Sequence, residues 1–240
     1  QIAYYRAHAP RYDDWWFHRG HHDLGDSYRE SWNSQIEKLR SALVEFAPLG
    51  DVLEFAGGTG NWTRQLAPLA HSVQVLDASP EAVAIANEKV SGNVRWTIGN
   101  IFEHRPARRY DTVFFGFWLS HVPENLFDTF WALVTDCLKR DGRVFFIDNA
   151  HPEVARDLAP QFFNAGRWTQ DETTLGGIDS ITDLSTGVAV RRAADGASYQ
   201  LVKIWRRPEE LETRLGELGW TVTVRSTDWA FIYGSGRRAS

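Results

Sequence analysis

The chain has 240 residues, 43% hydrophobic and 24% charged, with a net charge of -5 and a single cysteine. That length builds one domain with a sizeable core, or one domain plus a cap, and an acidic chain without a Lys/Arg-rich block argues against nucleic acid as a partner. One cysteine excludes an intrachain disulfide and fits a reducing compartment, and no run reaches the roughly 18 apolar residues of a membrane-spanning helix.

The chain opens on Gln1 and holds no methionine, so leading residues are expected to be missing. With no signal-peptide core at its start, the expectation is a cytoplasmic protein without a membrane partner. Residues 1–32 are rich in aromatics and histidines, among them Tyr5, Tyr12, Trp16, His18 and the pair His21-His22. The spacing of Tyr5, Tyr12 and Trp16 suits helical faces, with Pro10 and Gly20 as breaks. The segment is expected to form a helical lid, its aromatics packed on the main body and turned over a ligand. His18, His21 and His22 have no carboxylate or cysteine beside them at a ligand spacing, so no metal site is expected. Residues 31–46 follow as an amphipathic helix with Ile36, Leu39, Leu43 and Phe46 on one side.

The stretch Val52-Leu53-Glu54-Phe55-Ala56-Gly57-Gly58-Thr59-Gly60 runs from an apolar strand through a small-residue loop into a helical pattern. Such a loop lets a ligand press against the backbone, facing the N–H groups of the helix start. A dinucleotide loop has a third glycine where this chain has Thr63, and Glu54 would repel a pyrophosphate above the loop. The same carboxylate suits an ammonium or a sulfonium. The pattern Glu54-x-Ala56-x-Gly58-x-Gly60 resembles the first motif of class I S-adenosylmethionine-dependent methyltransferases, with Ala56 where many members have glycine.

Residues 71–76 alternate as a second strand ending at Asp77 and Ala78, and Ser79-Pro80 reads as a helix start. Asp77 lies 23 positions after Glu54 (77 minus 54), where strand-end acids of α/β folds take ribose hydroxyls. A third strand over 93–98 precedes Asn100 and Ile101. Asn100 stands where the family usually carries an acid accepting from the adenine amino group, and its side-chain carbonyl can accept that bond. Residues 110–117 form a dense apolar strand of the buried parallel type. A helix over 124–139, a turn at Asp141-Gly142 and a fifth strand ending at Asp148 complete the alternation.

Strand–helix alternation over the first 150 residues implies right-handed crossovers and a parallel sheet, with ligands beyond the carboxyl ends of its strands. Glu54, Asp77, Asn100, Phe117 and Asp148 all fall at such ends. Residues 153–187 read as an insertion covering the substrate or as a long connection. A hairpin is expected about Asp195-Gly196. A helix over 208–218 and strands over 220–225 and 229–233 close the chain, leaving 234–240 as a loose tail.

The resemblance implies an α/β fold: a doubly wound, mostly parallel seven-stranded sheet with helices on both faces and an antiparallel C-terminal strand. One domain over 1–240 would comprise the lid (1–32), the cofactor core (45–150), the covering insertion (151–205) and the terminal helix and strands (206–234). It implies S-adenosyl-L-methionine as cofactor, S-adenosyl-L-homocysteine as product and a small-molecule substrate, in a monomer or homodimer. Glu54 would hold the methionyl end and Ala56, Gly57, Gly58 and Gly60 the cofactor backbone. Asp77 would meet the ribose, Asn100 and Ile101 the adenine, and Phe117 the inner face, with Ala78 also on the cofactor and Tyr12 covering it. His121, after the fourth strand, is the candidate base, suited by a side-chain pKa near 6.5. Tyr5, Trp16, His18, Trp118 and His151 are candidate substrate contacts, and the tryptophans suggest an aromatic or apolar acceptor. O-methylation is the favoured reading and C- or N-methylation the runner-up. An NAD-dependent oxidoreductase and a non-catalytic cofactor-binding module are the alternatives of another class. No G-x-S-x-G elbow supports a serine hydrolase.

Overall fold

The structure is a computed structural model and describes residues 1–47, 49–163, 169–170, 174–177, 180–183, 186–193 and 196–239. Helices α1 (Ile2–Trp16) and α2 (Asp26–Phe46) precede the sheet, joined through a 3-10 turn at Gly20–His22. Next come β1 (Asp51–Phe55), α3 (Thr63–Leu66), β2 (Ser72–Asp77), α4 (Pro80–Lys89) and β3 (Val94–Ile98). Strand β4 (Tyr110–Gly116), helix α5 (Phe127–Cys137) and strand β5 (Leu138–Asn149) complete the parallel part. Helices α6 (Pro152–Leu158) and α7 (Pro160–Phe163) lead to β6 (Thr169–Gln170), β7 (Thr174–Gly177), β8 (Ser180–Asp183), β9 (Val188–Arg192) and β10 (Ser198–Val202). Helix α8 (Pro208–Glu217) and strands β11 (Trp220–Ser226) and β12 (Phe231–Arg238) follow.

The main sheet has seven strands in the order β11-β12-β5-β4-β1-β2-β3. β1 through β5 pair in parallel, and β12 runs antiparallel to both β5 and β11. This is the doubly wound arrangement expected. Alternation along each strand divides its side chains between two cores. Phe115 and Phe146 face α5 and α8, while their neighbours Phe114 and Phe145 face α2. Both faces are covered, which is why the central strands read as continuous apolar runs. A second, antiparallel sheet in the order β10-β9-β8-β7-β6 lies outside this layer.

Several boundaries differ from the sequence expectation. Pro10 lies inside α1 instead of breaking it. The missing N–H removes one bond of the helical ladder, and packing of α1 on α4 and β10 holds the helix across it. Helix α2 starts at Asp26, not Ser31. Asp141-Gly142 falls within β5, whose pairing slips between Tyr110–Leu138 and Thr112–Arg143. The tail expected to be loose is strand: β12 runs on to Arg238, paired with β5 and β11. Asp195 and, within 153–187, residues 164–168 (Trp168 included), 171–173, 178–179 and 184–185 lie outside the described residues.

In-register pairing sets the site. Phe55 pairs with Leu76 on one side and Phe115 on the other, so β1, β2 and β4 end nearly level. The chain then turns away on both sides of a common edge, leaving a hollow there.

The core against α5 centres on Trp131, 1% exposed and in ring contact with Phe115, Phe127, Phe130, Phe146 and Trp220. Trp131→Ala is expected to cost about 3–5 kcal/mol of unfolding free energy. Chemical denaturation measures this, and a loss below about 1 kcal/mol would show that the site collapses to fill the space.

Candidate active site

The hollow at the strand ends is closed into a cavity of about 380 Å³. Its roof is one face of α1, where Tyr5, His8, Tyr12 and Trp15 recur at helical spacing. Its floor is the glycine-rich loop after β1, and its far wall combines the turn after β4 with β9 and β10. The three non-glycine residues with positive φ among the described residues, His18 (49°), Ala56 (55°) and Phe117 (57°), all line it. Backbone strain of this kind persists where the surroundings over-determine it and gathers at binding sites.

Roof and floor are joined through Asp13. Its carboxylate accepts from the Thr59 hydroxyl at 2.7 Å, the Asn61 amide at 3.2 Å and the Lys89 ammonium. Burial works against ionisation, yet the bonds from Lys89 and Thr59 hold the Asp13 carboxyl below the usual range. Arg6 pairs with Glu81 at the start of α4 as a second, exposed tie. Asp13 was not among the residues singled out from the sequence.

The loop itself is braced by Asp77, whose carboxylate accepts the Gly58 and Ser79 N–H groups, each at 2.8 Å. Burial pushes its carboxyl up while those backbone bonds pull it down. Gly57 is needed for close approach: a Cβ there would lie 2.3 Å from Cγ1 of Val75 in β2. Gly58, with φ +56°, has nothing within 4 Å of its Cβ position, so bare backbone faces the cavity.

On the floor side Ala56, Gly58, Asp77, Ala78, Asn100 and Ile101 line the cavity. Asn100 also caps the turn after β3: its Oδ1 accepts from Phe102 N–H at 3.1 Å and its amide donates to Glu103. On the other side Tyr5, Tyr12, His18, Phe117, Trp118 and His121 line it. Five residues singled out from the sequence do not. Glu54 is 1% exposed behind the loop, accepting from the Thr63 hydroxyl at 2.7 Å. Gly57 and Gly60 pack against strand and helix. Trp16 is core, ringed by Trp32, Trp62 and Phe117, and its neighbour Trp15 reaches the cavity instead. His151 caps α6 through Glu153 N–H.

His121 is 4% exposed and bonded through both ring nitrogens. Nδ1 lies 2.6 Å from the Val202 carbonyl and Nε2 lies 2.7 Å from the Tyr5 hydroxyl. A carbonyl only accepts, so the proton sits on Nδ1, and Nε2 accepts from the Tyr5 hydroxyl. Burial, then the charges of Lys203 and Arg191, hold the imidazole neutral, well below its ordinary pKa. Burial likewise raises the Tyr5 and Tyr12 phenols. His18, against Tyr28 and Trp32, is pushed down to about 4 by burial.

Lys203 is another residue the sequence did not flag. Its ammonium donates to Ser120 Oγ and Asn149 Oδ1, each at 2.8 Å, and lies 3.7 Å from Asp148. Burial pushes it down to about 8 despite Asp148. Asp148 in turn accepts the Ser120 N–H at 2.8 Å. The network ties the turn after β4 to the ends of β5 and β10.

Comparison with known proteins identifies this arrangement. A family model described as a methyltransferase domain matches residues 52–142. An uncharacterised methyltransferase of Bacillus cytotoxicus is 30% identical over 121 residues, covering 50% of this chain and 56% of its own. One of Staphylococcus carnosus is 28% identical over 131 residues, covering 50% of this chain and 62% of its own. The chain thus spans about half the length of the curated relatives it matches. The solved DhpI–SAH complex is similar over 100% of this chain and 95% of that one, at 32% identity and TM-score 0.72. The chain belongs to the class I S-adenosylmethionine-dependent methyltransferases.

The residues present fit that cofactor. A buried carboxylate at the end of β2 suits ribose hydroxyls, bare backbone at Gly58 suits the methionyl chain, and Ile101 offers an apolar wall to the base. The solved relatives carry S-adenosylhomocysteine or S-adenosylmethionine. Among the described residues of this methyltransferase no cluster has the makings of a metal site, and no helix is long and apolar enough to cross a membrane.

Two outcomes follow for the cofactor side. Burial pushes the Glu54 carboxyl up from 4.5 to about 8. A group raised on folding stabilises fully below its unfolded pKa, and that stability is lost as pH rises through the folded value. Wild type should therefore lose stability between 4.5 and about 8, and Glu54→Gln, which keeps an acceptor for Thr63, should flatten that fall in thermal unfolding. Parallel curves would reject it. Asp13→Ala should loosen α1, read as faster amide hydrogen exchange over 2–16, and weaken S-adenosylhomocysteine binding about 5- to 50-fold. Unchanged exchange would rule out Asp13 as the tie.

Proposed function

We propose that the chain transfers the methyl group of S-adenosylmethionine to an oxygen of a small organic acceptor lying between α1, the turn after β4 and the outer sheet. The observation that carries this is the hydrogen-bonded chain Tyr5 hydroxyl–His121–Val202 carbonyl facing the cavity that Gly58 and Asp77 floor. One of the similar structures is a DhpI–SAM–HEP complex, at 33% identity over 95% of that chain, which supports a further ligand beside the cofactor.

When bound, S-adenosylmethionine would supply an electrophilic methyl that the acceptor oxygen takes in line, the sulfur leaving as the neutral thioether of S-adenosylhomocysteine. The chain's own residues position that oxygen and take its proton. The Tyr5 oxygen accepts the acceptor's hydroxyl proton while passing its own to His121 Nε2. The imidazolium so formed keeps both hydrogen bonds, to Tyr5 and to the Val202 carbonyl, so no rearrangement is needed. Tyr12, Trp15 and Phe117 cover the cavity with aromatic surface and keep water from the reacting atoms. Glu54 acts through the loop it supports, bonded to Thr63.

Calorimetric titration with S-adenosylhomocysteine, with NAD as paired control, tests the cofactor: micromolar binding of the first and none of the second is expected. Binding of NAD alone would overturn the reading. With an acceptor from a methylation screen, His121→Ala should lower turnover about 10²- to 10⁴-fold and leave S-adenosylhomocysteine affinity unchanged. Tyr5→Phe should lower turnover in the same sense. Undiminished turnover in His121→Ala removes the base, and a methyl found on nitrogen or carbon by mass spectrometry removes the oxygen acceptor.

A further inference from the structure

The charges around the cavity are unevenly placed. Among its described lining residues one carboxylate, Asp77, lies on the floor, and both of that group's oxygens already accept backbone N–H bonds. The opposite wall carries Arg191, Arg192 and Lys203, with no acidic side chain among its described lining residues. Lys203 is met by Ser120 and Asn149 and balanced by Asp148 from behind. No ion pair to Arg191 is found among the described residues. Its Nε is shielded from solvent and has no hydrogen-bond partner among the described residues. The guanidinium sits where its charge acts on Tyr5, Tyr12, His121 and Lys203 together.

A shielded donor on a permanent cation is costly unless an acceptor meets it. The planar fork of arginine is shaped for the paired oxygens of an oxyanion. We infer that the acceptor carries an anionic group, a carboxylate or a phosphoryl-type oxyanion, held by Arg191 beside Lys203 with its remaining body against Tyr5 and His121. This rests on the methyl-transfer reading above and names the substrate class of that same site.

The arrangement also accounts for the state of His121. Two cations and burial hold its imidazole neutral in the absence of a ligand. A bound anion offsets those cations, so that the imidazolium formed by proton transfer gains a counter-charge across the cavity. The substrate's own charge thereby completes the base. Arg191 is a specificity-determining residue in this scheme, and Lys203 positions Ser120 and Asn149 while adding to the field.

Binding of small probes tests the assignment, by calorimetry on the protein both free and saturated with S-adenosylhomocysteine. Benzoate and phenylphosphonate are the anionic probes, and benzamide and benzyl alcohol are their neutral counterparts. At least one anion should bind 10-fold or more tightly than the neutral probes, and Arg191→Gln should weaken it roughly 10- to 100-fold. Arg191→Lys, which keeps the charge without the fork, should fall between the two. S-adenosylhomocysteine affinity should be the same in all three proteins, which shows that the variants are folded. Tighter binding of benzoate assigns a planar oxyanion and of phenylphosphonate a tetrahedral one. Neutral probes binding as well as anions, an Arg191→Gln variant unchanged for anions, or no anion binding at millimolar concentration would each overturn the inference. Loss of S-adenosylhomocysteine binding in wild type would instead sink the methyl-transfer reading, and the arms run without it still decide this one.

Discussion

The carboxylate of Asp13 joins the two halves of the site. It stands on α1, outside the sheet, and receives donors from Thr59 and Asn61 in the loop and from Lys89 at the end of α4. Each bond is charge-assisted and partly removed from water, the setting in which such bonds are strongest. Through this contact a helix carrying Pro10 stays docked along its length. Its Tyr5, His8, Tyr12 and Trp15 face then becomes a roof over the strand ends. The loop can receive the tie because Asp77 anchors it from below through Gly58 N–H and Gly57 packs directly on Val75.

Closure gives the cavity two electrostatic ends. Near the floor the charge is that of Asp77, which lines the space, while Glu54 lies behind the loop, its proton held by burial. Across the cavity, Arg191 and Lys203 dominate, and between the ends sits a neutral Tyr5–His121 pair. Low dielectric makes each of these charges felt at its neighbours. A cationic methyl donor suits the acidic end, and an acceptor rich in electrons suits the basic one. The same wall carries aromatic surface, so that shape and charge select the acceptor together.

The parts of the site legible in the sequence are those whose neighbours in space are neighbours along the chain. The strand–loop–helix unit around Gly58 is one, with Ala56 and Asp77 set by strand ends a short crossover apart. His121 and Phe117 follow the fourth strand directly and were found the same way. Tyr5 and Tyr12 were legible as one helical face, and extending that face by helical spacing would have added His8 and Trp15. The sequence instead pointed to Trp16, one position round the helix, which faces the core against Trp62 and Phe117. His151 likewise followed a strand end, but its ring turned to cap α6.

By itself the sequence determined the strand–helix alternation of the first 150 residues and the small-residue loop after β1, because periodicity and turn chemistry act over a few residues, and the resemblance of that loop to a known motif supplied the family and its sheet. Tertiary structure alone decided that 234–238 extends β12, since strand pairing with β5 and β11 outweighs the weak strand preference of Gly234 and Gly236. It alone brought Arg191 and Lys203, on a hairpin far along the chain, to face Tyr5 and His121. It alone set Asp13 on Thr59, a pairing 46 positions apart. Such long-range contacts are chosen by packing and charge across the folded chain, and no local pattern records them.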